Sequence, residues 1–126
     1  MLQTIGTKVL DSIARIHVHG YQYVYGNRAG LRLAAAAAGK PLWNSEYGDG
    51  VESGEDLARY LLKDMRELRP KAWIYWQSLD HLGWGLIDAD NDTGRLGTAM
   101  QKYFVLAQFT RYIHPGMRML DAGGIT

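Results

Sequence analysis

Short apolar runs alternate along the chain with longer segments of helical character. The three apolar or β-branched runs, which predict β-strands, are residues 13–19, 42–46 and 71–77. The three segments with helical spacing or strong helix formers are residues 29–38, 57–68 and about 98–112. Because strand and helix alternate three times, the pattern predicts an α/β fold with parallel strands and right-handed crossovers.

Turn-forming and capping residues set the expected ends of these elements. Gly39 follows the first helix where a C′ glycine belongs, and Ser53 is the predicted N-cap of the second, with Asp56 three residues further on. Pro70 stops the second helix. Residues 78–97, which are rich in Gly and Asp, are predicted to form a long loop.

Length and composition indicate one domain over residues 1–126 and exclude several classes of protein. Hydrophobic residues make up 47% of the chain, which is enough for a core, so disorder is not expected. The net charge is +1 and the basic residues are scattered along the sequence, so no basic patch that would bind nucleic acid is predicted. No run approaches the ~18 apolar residues that cross a bilayer, and the first residues lack the pattern of a signal peptide. Since cysteine is absent, disulfides and thiolate metal sites are excluded.

Residues 43–50 are the most informative segment. An apolar run leads to Glu46, aromatic residues flank it, and a Gly-Asp-Gly turn follows at 48–50. A carboxylate at the C-terminal end of a parallel strand, with aromatic faces nearby, is typical of the nucleophile in a sugar-cleaving enzyme. His19 and Tyr21 leave the neighbouring strand at the same end and are candidate donors that would keep Glu46 ionised. Retaining hydrolysis needs a second carboxyl about 5–5.5 Å away, and the predicted strands offer only one.

Four segments in a fixed order resemble glycoside hydrolase family 30, most closely its fungal endo-β-1,6-galactanase branch. They are residues 19–22 after the first strand, 43–48 on the second, 72–77 on the third, and 102–116 in and after the last helix. The resemblance covers roughly residues 11–120. Four motifs in the right order make this a specific signal.

The resemblance implies a (β/α)8 barrel whose sixth to eighth strands are the three predicted here, and a retaining β-glycosidase. It makes Glu46 the nucleophile, places His19 and Tyr21 beside it in the sugar site, and puts Trp76 on the floor of that site. The family's general acid/base, a Glu preceded by Asn on the fourth strand, has no counterpart in residues 1–126. We therefore expect a partial catalytic domain that is inactive alone. Its expected protein partner is the missing N-terminal part of the barrel or another copy of the chain.

Several aromatic residues are candidates for stacking on sugar. Because side chains alternate along a strand, Trp43 is expected to point away from Glu46 and to pack against helices. Tyr47 and Trp76 are the preferred stacking residues. Trp84 lies in a glycine-flanked loop that could close over a subsite, although packing on the rim is an equally good interpretation.

No cofactor and no metal site is predicted. His17 and His19 share a strand face and could form a metal site with His81, but a sugar-site role for His19 is the better interpretation. Residues 88–94 resemble the start of a calcium loop, yet the sixth and twelfth positions of that loop hold neither Gly nor Glu. A turn on the barrel rim is therefore favoured over a calcium site.

The leading functional prediction is a fragment of an endo-hydrolase that acts on β-1,6-linked galactan. Other substrates in the family include glucosylceramide, β-1,6-glucan, xylan and fucosides. Two alternatives stay open: a non-catalytic carbohydrate-binding remnant that uses Trp76, Tyr47 and Tyr21, and an inactive truncated product. The full-length enzyme is expected to be secreted, with an oligo- or polysaccharide as its partner and neither nucleic acid nor membrane.

Overall fold

The computed structural model describes residues 7–120. Its α-helices are α1 (Thr7–Ser12), α2 (Arg28–Ala37), α3 (Glu55–Lys63) and α4 (Gln101–Thr110), and a π-helical segment, Asp64–Leu68, continues α3. Its strands are β1 (Ile16–His19), β2 (Leu42–Tyr47), β3 (Trp73–Tyr75), β4 (Leu79–Asp80), β5 (Ile87–Asp90) and β6 (Arg95–Ala99). Within this part of the chain, no helix combines the length and apolar character that crossing a membrane requires.

The first three strands form the parallel sheet that the sequence predicts, in the order β1-β2-β3. The α/β character and the parallel sheet are therefore confirmed, although β1 and β3 are shorter than the apolar runs that predict them. A first core cluster joins β1 and β2 to α2 and the π-helical segment through Ile16, Ala35, Leu42 and Leu68. This packing explains why the alanine-rich segment is a helix, since small side chains let α2 lie close to the sheet.

A second core cluster lies between β2 and α3. It is built from four buried residues, Tyr47, Leu57, Tyr60 and Leu61. Val105, Leu106 and Phe109 of α4 pack against the same cluster. The amphipathic spacing of residues 57–68 therefore predicts the buried face of α3 correctly.

The segment predicted as a loop at residues 78–97 instead contains most of a second sheet. In this sheet β4 pairs in parallel with β5, and β5 pairs antiparallel with β6. The prediction was wrong because residues 87–90 alternate Ile and Ala with Asp, which reads as a polar turn. Only Ala89 of that strand is fully buried, so the hydrophobic signal is weak.

The start of α3 differs from the predicted Ser53 cap. Gly54 is the N-cap, with φ of +76°, and the Ser53 hydroxyl accepts a 3.3 Å hydrogen bond from the amide of Glu55. A side chain at Gly54 would come within 2.7 Å of the Cα of Lys102. Glycine is needed here because the turn is left-handed and α4 passes directly against it.

Candidate active site

Glu46 stands at the C-terminal end of β2, where a β-bulge sets its direction. Val18 of β1 pairs with Asn44, but His19 pairs with Glu46, so β2 carries one extra residue at this point. Asn44 and Tyr47 both face the layer of α3, since they contact Asp64 and the α3 core respectively. In a regular strand Glu46 would share the face of Asn44, and the bulge instead turns it away from α3 toward the other face of the sheet.

The carboxylate of Glu46 is held by the last residue of β1 and the turn that follows it. The Tyr21 hydroxyl donates a 2.9 Å hydrogen bond to Oε1, and Nδ1 of His19 lies 3.6 Å from the same oxygen. Burial and the neighbouring Glu46 carboxylate raise the pKa of Tyr21, so its hydroxyl keeps its proton and stays a donor. The structure thus brings together the three residues that the sequence assigned to one site.

Trp43 does not pack against the helices as expected. Its ring lies 5.5 Å from that of His17 across the β1–β2 pair, and the guanidinium of Arg15 lies 4.3 Å from its centre. The bulge explains the error, because it places Trp43 and Glu46 on the same face of the sheet although their spacing along a regular strand would oppose them.

The expectation that Tyr47 stacks on sugar is also wrong. Tyr47 is fully buried, with ring contacts to Tyr60, Trp73 and Tyr75, and its hydroxyl donates a 2.9 Å hydrogen bond to Asp49. No face of its ring is open to a ligand. Its role is to fix the end of β2, and thereby the backbone next to Glu46.

Trp76 and Trp84 remain open to solvent around this end of the sheet. Trp76 follows β3 directly, is 46% exposed, and donates its amide hydrogen to the carbonyl of Tyr47 at 2.7 Å. The ring of Trp84 lies 6.5 Å from that of Tyr21. Tyr21 thus lies between Trp84 and Glu46, and the rings of Tyr21 and Trp84 form one side of the site.

A buried ion pair beneath the site was not predicted. Lys102 and Asp49 lie 3.1 Å apart, and Lys102 is completely buried. The Lys102 ammonium also donates to the Asp49 carbonyl at 2.8 Å, the Tyr75 hydroxyl at 2.9 Å and the Gly83 carbonyl at 2.6 Å. Lys102 stands at the predicted start of a helix, where a lysine is usually solvated, so no local signal distinguishes it.

A second buried network was also missed, and it centres on Asp64. The Asp64 carboxylate accepts hydrogen bonds from Arg28 at 2.5 Å, Asn44 at 2.6 Å and the Trp73 indole at 2.8 Å. Asn44 in turn accepts a 3.4 Å hydrogen bond from the amide of Glu46. The network therefore ties the bulge in β2 to α2, β3 and the π-helical segment.

Two further carboxylates near this end of the sheets already have hydrogen-bond partners of their own. Asp49 is buried and bound to Lys102 and Tyr47. A hydrogen bond from Gln77 holds the pKa of Asp80 below its usual value, so Asp80 is ionised at neutral pH. His81 pairs with Asp80 and His17 with Trp43, which leaves the histidines with separate partners.

Comparisons with known proteins relate this chain to a named enzyme. No model of a protein family matches the chain. Over 118 residues, or 94% of this chain, the sequence is 50% identical to an endo-β-1,6-galactanase from Hypocrea rufa. The chain spans about a quarter of the length of that relative, at 25%.

A solved structure has a similar fold. It is the crystal structure of a conserved exported protein from Bacteroides fragilis, which matches 82% of this chain with a TM-score of 0.67 and 17% sequence identity. The match covers 28% of that protein, so it too is partial. At this identity the likeness concerns the fold alone. Together, the comparisons show that the chain resembles a segment of an endo-β-1,6-galactanase, of about a quarter of that enzyme's length.

Proposed function

We propose that this chain is the nucleophile-bearing part of a retaining endo-β-1,6-galactanase. In this proposal β1, β2 and β3 are the last three strands of a (β/α)8 barrel, and Glu46 is the nucleophile. The observation that carries the proposal is the 2.9 Å hydrogen bond from Tyr21 to Glu46 at the C-terminal end of a parallel strand. The 50% identity to a galactanase supports β-1,6-galactan as the proposed substrate class.

The proposed chemistry has two steps. The Glu46 carboxylate attacks the anomeric carbon of a β-linked galactosyl unit and forms a covalent glycosyl ester. The leaving oxygen takes its proton from a carboxylic acid elsewhere in the barrel, outside this chain. That carboxylate then removes a proton from water, which attacks the same carbon and releases the sugar and Glu46.

The surroundings of Glu46 suit this role. The Tyr21 hydroxyl stabilises the ionised carboxylate and fixes the oxygen that it contacts. Tyr21, Trp84 and the half-exposed Trp76 provide aromatic surface on which pyranose rings stack. The proposed partners are a galactan and the remaining strands of the barrel, and we propose that the complete enzyme is exported, as the Bacteroides fragilis protein's description states for that protein.

A hybrid enzyme tests the proposal. This chain would replace the matching 118-residue segment of the Hypocrea rufa galactanase, to which it is 50% identical. We expect the hybrid to cleave β-1,6-galactan, and we expect Glu46→Gln to lower kcat by roughly 10⁴-fold or more. Glu52→Gln, an exposed carboxylate six residues away, is the matched control and should leave kcat unchanged.

The stereochemistry of azide rescue separates a nucleophile from a residue that only supports the site. With Glu46→Ala, an aryl β-galactobioside with a good leaving group and added azide should give an α-configured glycosyl azide. Azide would enter from the face that the carboxylate has left. A β-configured azide would assign Glu46 the acid/base role instead, and binding of galacto-oligosaccharides without any cleavage by the hybrid would favour a carbohydrate-binding remnant.

A further inference from the structure

We propose that Lys102 is a positioning residue that holds Trp84 beside Tyr21 and Glu46 as one wall of the sugar site. The inference rests on the proposed function only in naming sugar as what the Trp84 ring contacts. The positioning itself follows from the contacts of Lys102, which reach three separate parts of the chain: the loop after β2, strand β3, and the loop that carries Trp84.

The location of Lys102 is unfavourable for the helix that carries it. It is the second residue of α4, where the helix dipole is positive and a cation is disfavoured. Its ammonium is also completely withdrawn from water. Burying a charge in such a place is costly unless its hydrogen bonds are all made inside the protein. The contacts with Asp49, Tyr75 and Gly83 supply them.

Two of these contacts fix the backbone of Trp84 on both sides. The ammonium binds the carbonyl of Gly83, which precedes Trp84, at 2.6 Å. It also donates to the Tyr75 hydroxyl, which donates its own hydrogen to the Trp84 carbonyl at 3.0 Å. Lys102 therefore fixes the peptide group before Trp84 directly, and the peptide group after it through the Tyr75 hydroxyl.

The Trp84 ring packs on glycine backbone in the loop after β2. A Cβ added at Gly48 would lie 3.1 Å from the ring, and one added at Gly50 would lie 3.6 Å from its indole nitrogen. The loop after β2 thus contacts the ring through two glycines, and Asp49, between them, binds Lys102. The same lysine fixes both the backbone of Trp84 and the loop that its ring contacts.

Nuclear magnetic resonance of the indole N–H groups in the hybrid galactanase, four of which come from this chain, tests the positioning without any sugar. Trp84→Phe assigns the signal of Trp84. Lys102→Met keeps the aliphatic part of the side chain and removes the ammonium. The chemical shift of the Trp84 indole should then move toward its value in urea, while that of the Trp43 indole should not change. Tyr75→Phe removes only the bridging hydroxyl and should shift the same signal by less.

The control is Ile16→Ala, which removes core volume in the first cluster, away from Trp84. It should lower the stability of the fold without moving the Trp84 signal selectively. The proposal is overturned if the Trp84 signal of the unmodified hybrid already has its chemical shift in urea. It is also overturned if both Lys102→Met and Tyr75→Phe leave that signal in place, or if all four of this segment's indole signals move together.

Steady-state kinetics of the hybrid galactanase test whether the positioning of Trp84 affects sugar binding. In the hybrid galactanase, Lys102→Met should raise KM about tenfold and lower kcat by less, because Glu46 keeps its own partners. An equal loss of kcat with unchanged KM would contradict a role through Trp84. If the Trp84 signal moves as expected but the hybrid never cleaves galactan, the proposed function fails while the positioning by Lys102 stands.

Discussion

The hydroxyl of Tyr21 and the carboxylate of Glu46 are 2.9 Å apart, although the residues are 25 positions apart in the chain. Tyr21 lies in the turn that follows β1, and Glu46 lies at the end of the adjacent strand. The hydrogen bond therefore depends on the parallel pairing of β1 with β2. It makes the direction of the carboxylate a property of the sheet rather than of one loop.

Removing that hydroxyl should weaken catalysis by the hybrid galactanase. Tyr21→Phe keeps the ring and its contact with Trp84 but leaves Glu46 without its closest donor. We expect kcat/KM on β-1,6-galactan to fall roughly ten- to hundredfold, as for loss of a hydrogen bond to a charged group. Tyr25→Phe is the control, since Tyr25 is 90% exposed, and an equal loss in both variants would contradict the role of Tyr21.

Enlarging Gly48 should disturb the Trp84 ring and the end of β3 together. A Cβ at this position would clash with the carbonyl oxygen of Trp76 and lie 3.1 Å from Trp84. We expect Gly48→Ala to lower the free energy of unfolding by about 1–3 kcal/mol, measured by urea denaturation of the hybrid. Gly50→Ala places its Cβ no closer than 3.6 Å to any neighbour, so it should change stability by less than half as much.

The buried tyrosines make stability depend on alkaline pH. Burial, followed by the nearby Asp49 carboxylate, raises the pKa of Tyr47 and of Tyr75 above the ordinary 10.0. Below pH 10 both hydroxyls are protonated in the folded and in the unfolded chain, so their contribution is constant. Above it the unfolded chain loses these protons first, and the free energy of unfolding should fall as pH rises.

A spectrophotometric titration checks this expectation. The absorbance of ionised tyrosine should stay below the value for all eight tyrosines until the fold is lost, and then rise together with the loss of far-ultraviolet circular dichroism. In urea all eight should titrate in one phase. A folded chain whose eight tyrosines ionise in a single phase near pH 10 would contradict the burial of Tyr47.

The chain studied alone should associate. Its accessible surface is 8823 Å², whereas a compact monomer of 14.2 kDa exposes about 6,800 Å². Ile74 on the outer strand β3 is exposed, and so are Tyr103 and Phe104 on α4. Strands β1 and β3 each have an unpaired edge within this sheet. Analytical ultracentrifugation should show concentration-dependent oligomers or aggregates, and a monomer with a sharp cooperative melt would contradict this.

The sequence predicts the parallel sheet and the helices α2, α3 and α4 because their hydrophobic patterns are local, but it does not predict the short helix α1. The spacing of residues 57–68 marks the buried face of α3, and the apolar run before Glu46 marks β2. The cluster of Glu46, His19 and Tyr21 was also found, since parallel strands bring their C-terminal ends to one edge. Each of these inferences needs only the period of the side chains and the direction of the strands.

The remaining features depend on contacts between distant segments. Lys102 is buried by partners 53 and 27 residues earlier in the chain, Asp49 and Tyr75, and nothing in its own segment indicates this. Tyr47 was assigned to sugar because it adjoins Glu46, but the α3 core takes up its ring. The second sheet was missed because β5 carries Asp at every second position and buries little apolar surface.

The bulge in β2 has a consequence for anyone who transplants or aligns this segment. In a regular strand without the bulge the four residues 44–47 would alternate, and the carboxylate of Glu46 would share the face of Asn44, under α3, in a layer already filled by aromatic rings. Two segments that both carry a Glu before Tyr-Gly can therefore present it to opposite faces of a sheet, depending on whether the strand bulges at that point. Residues 44–47 therefore have to be transferred together. Grafting the glutamate alone would not reproduce the site, because the bulge that directs its side chain involves all four residues.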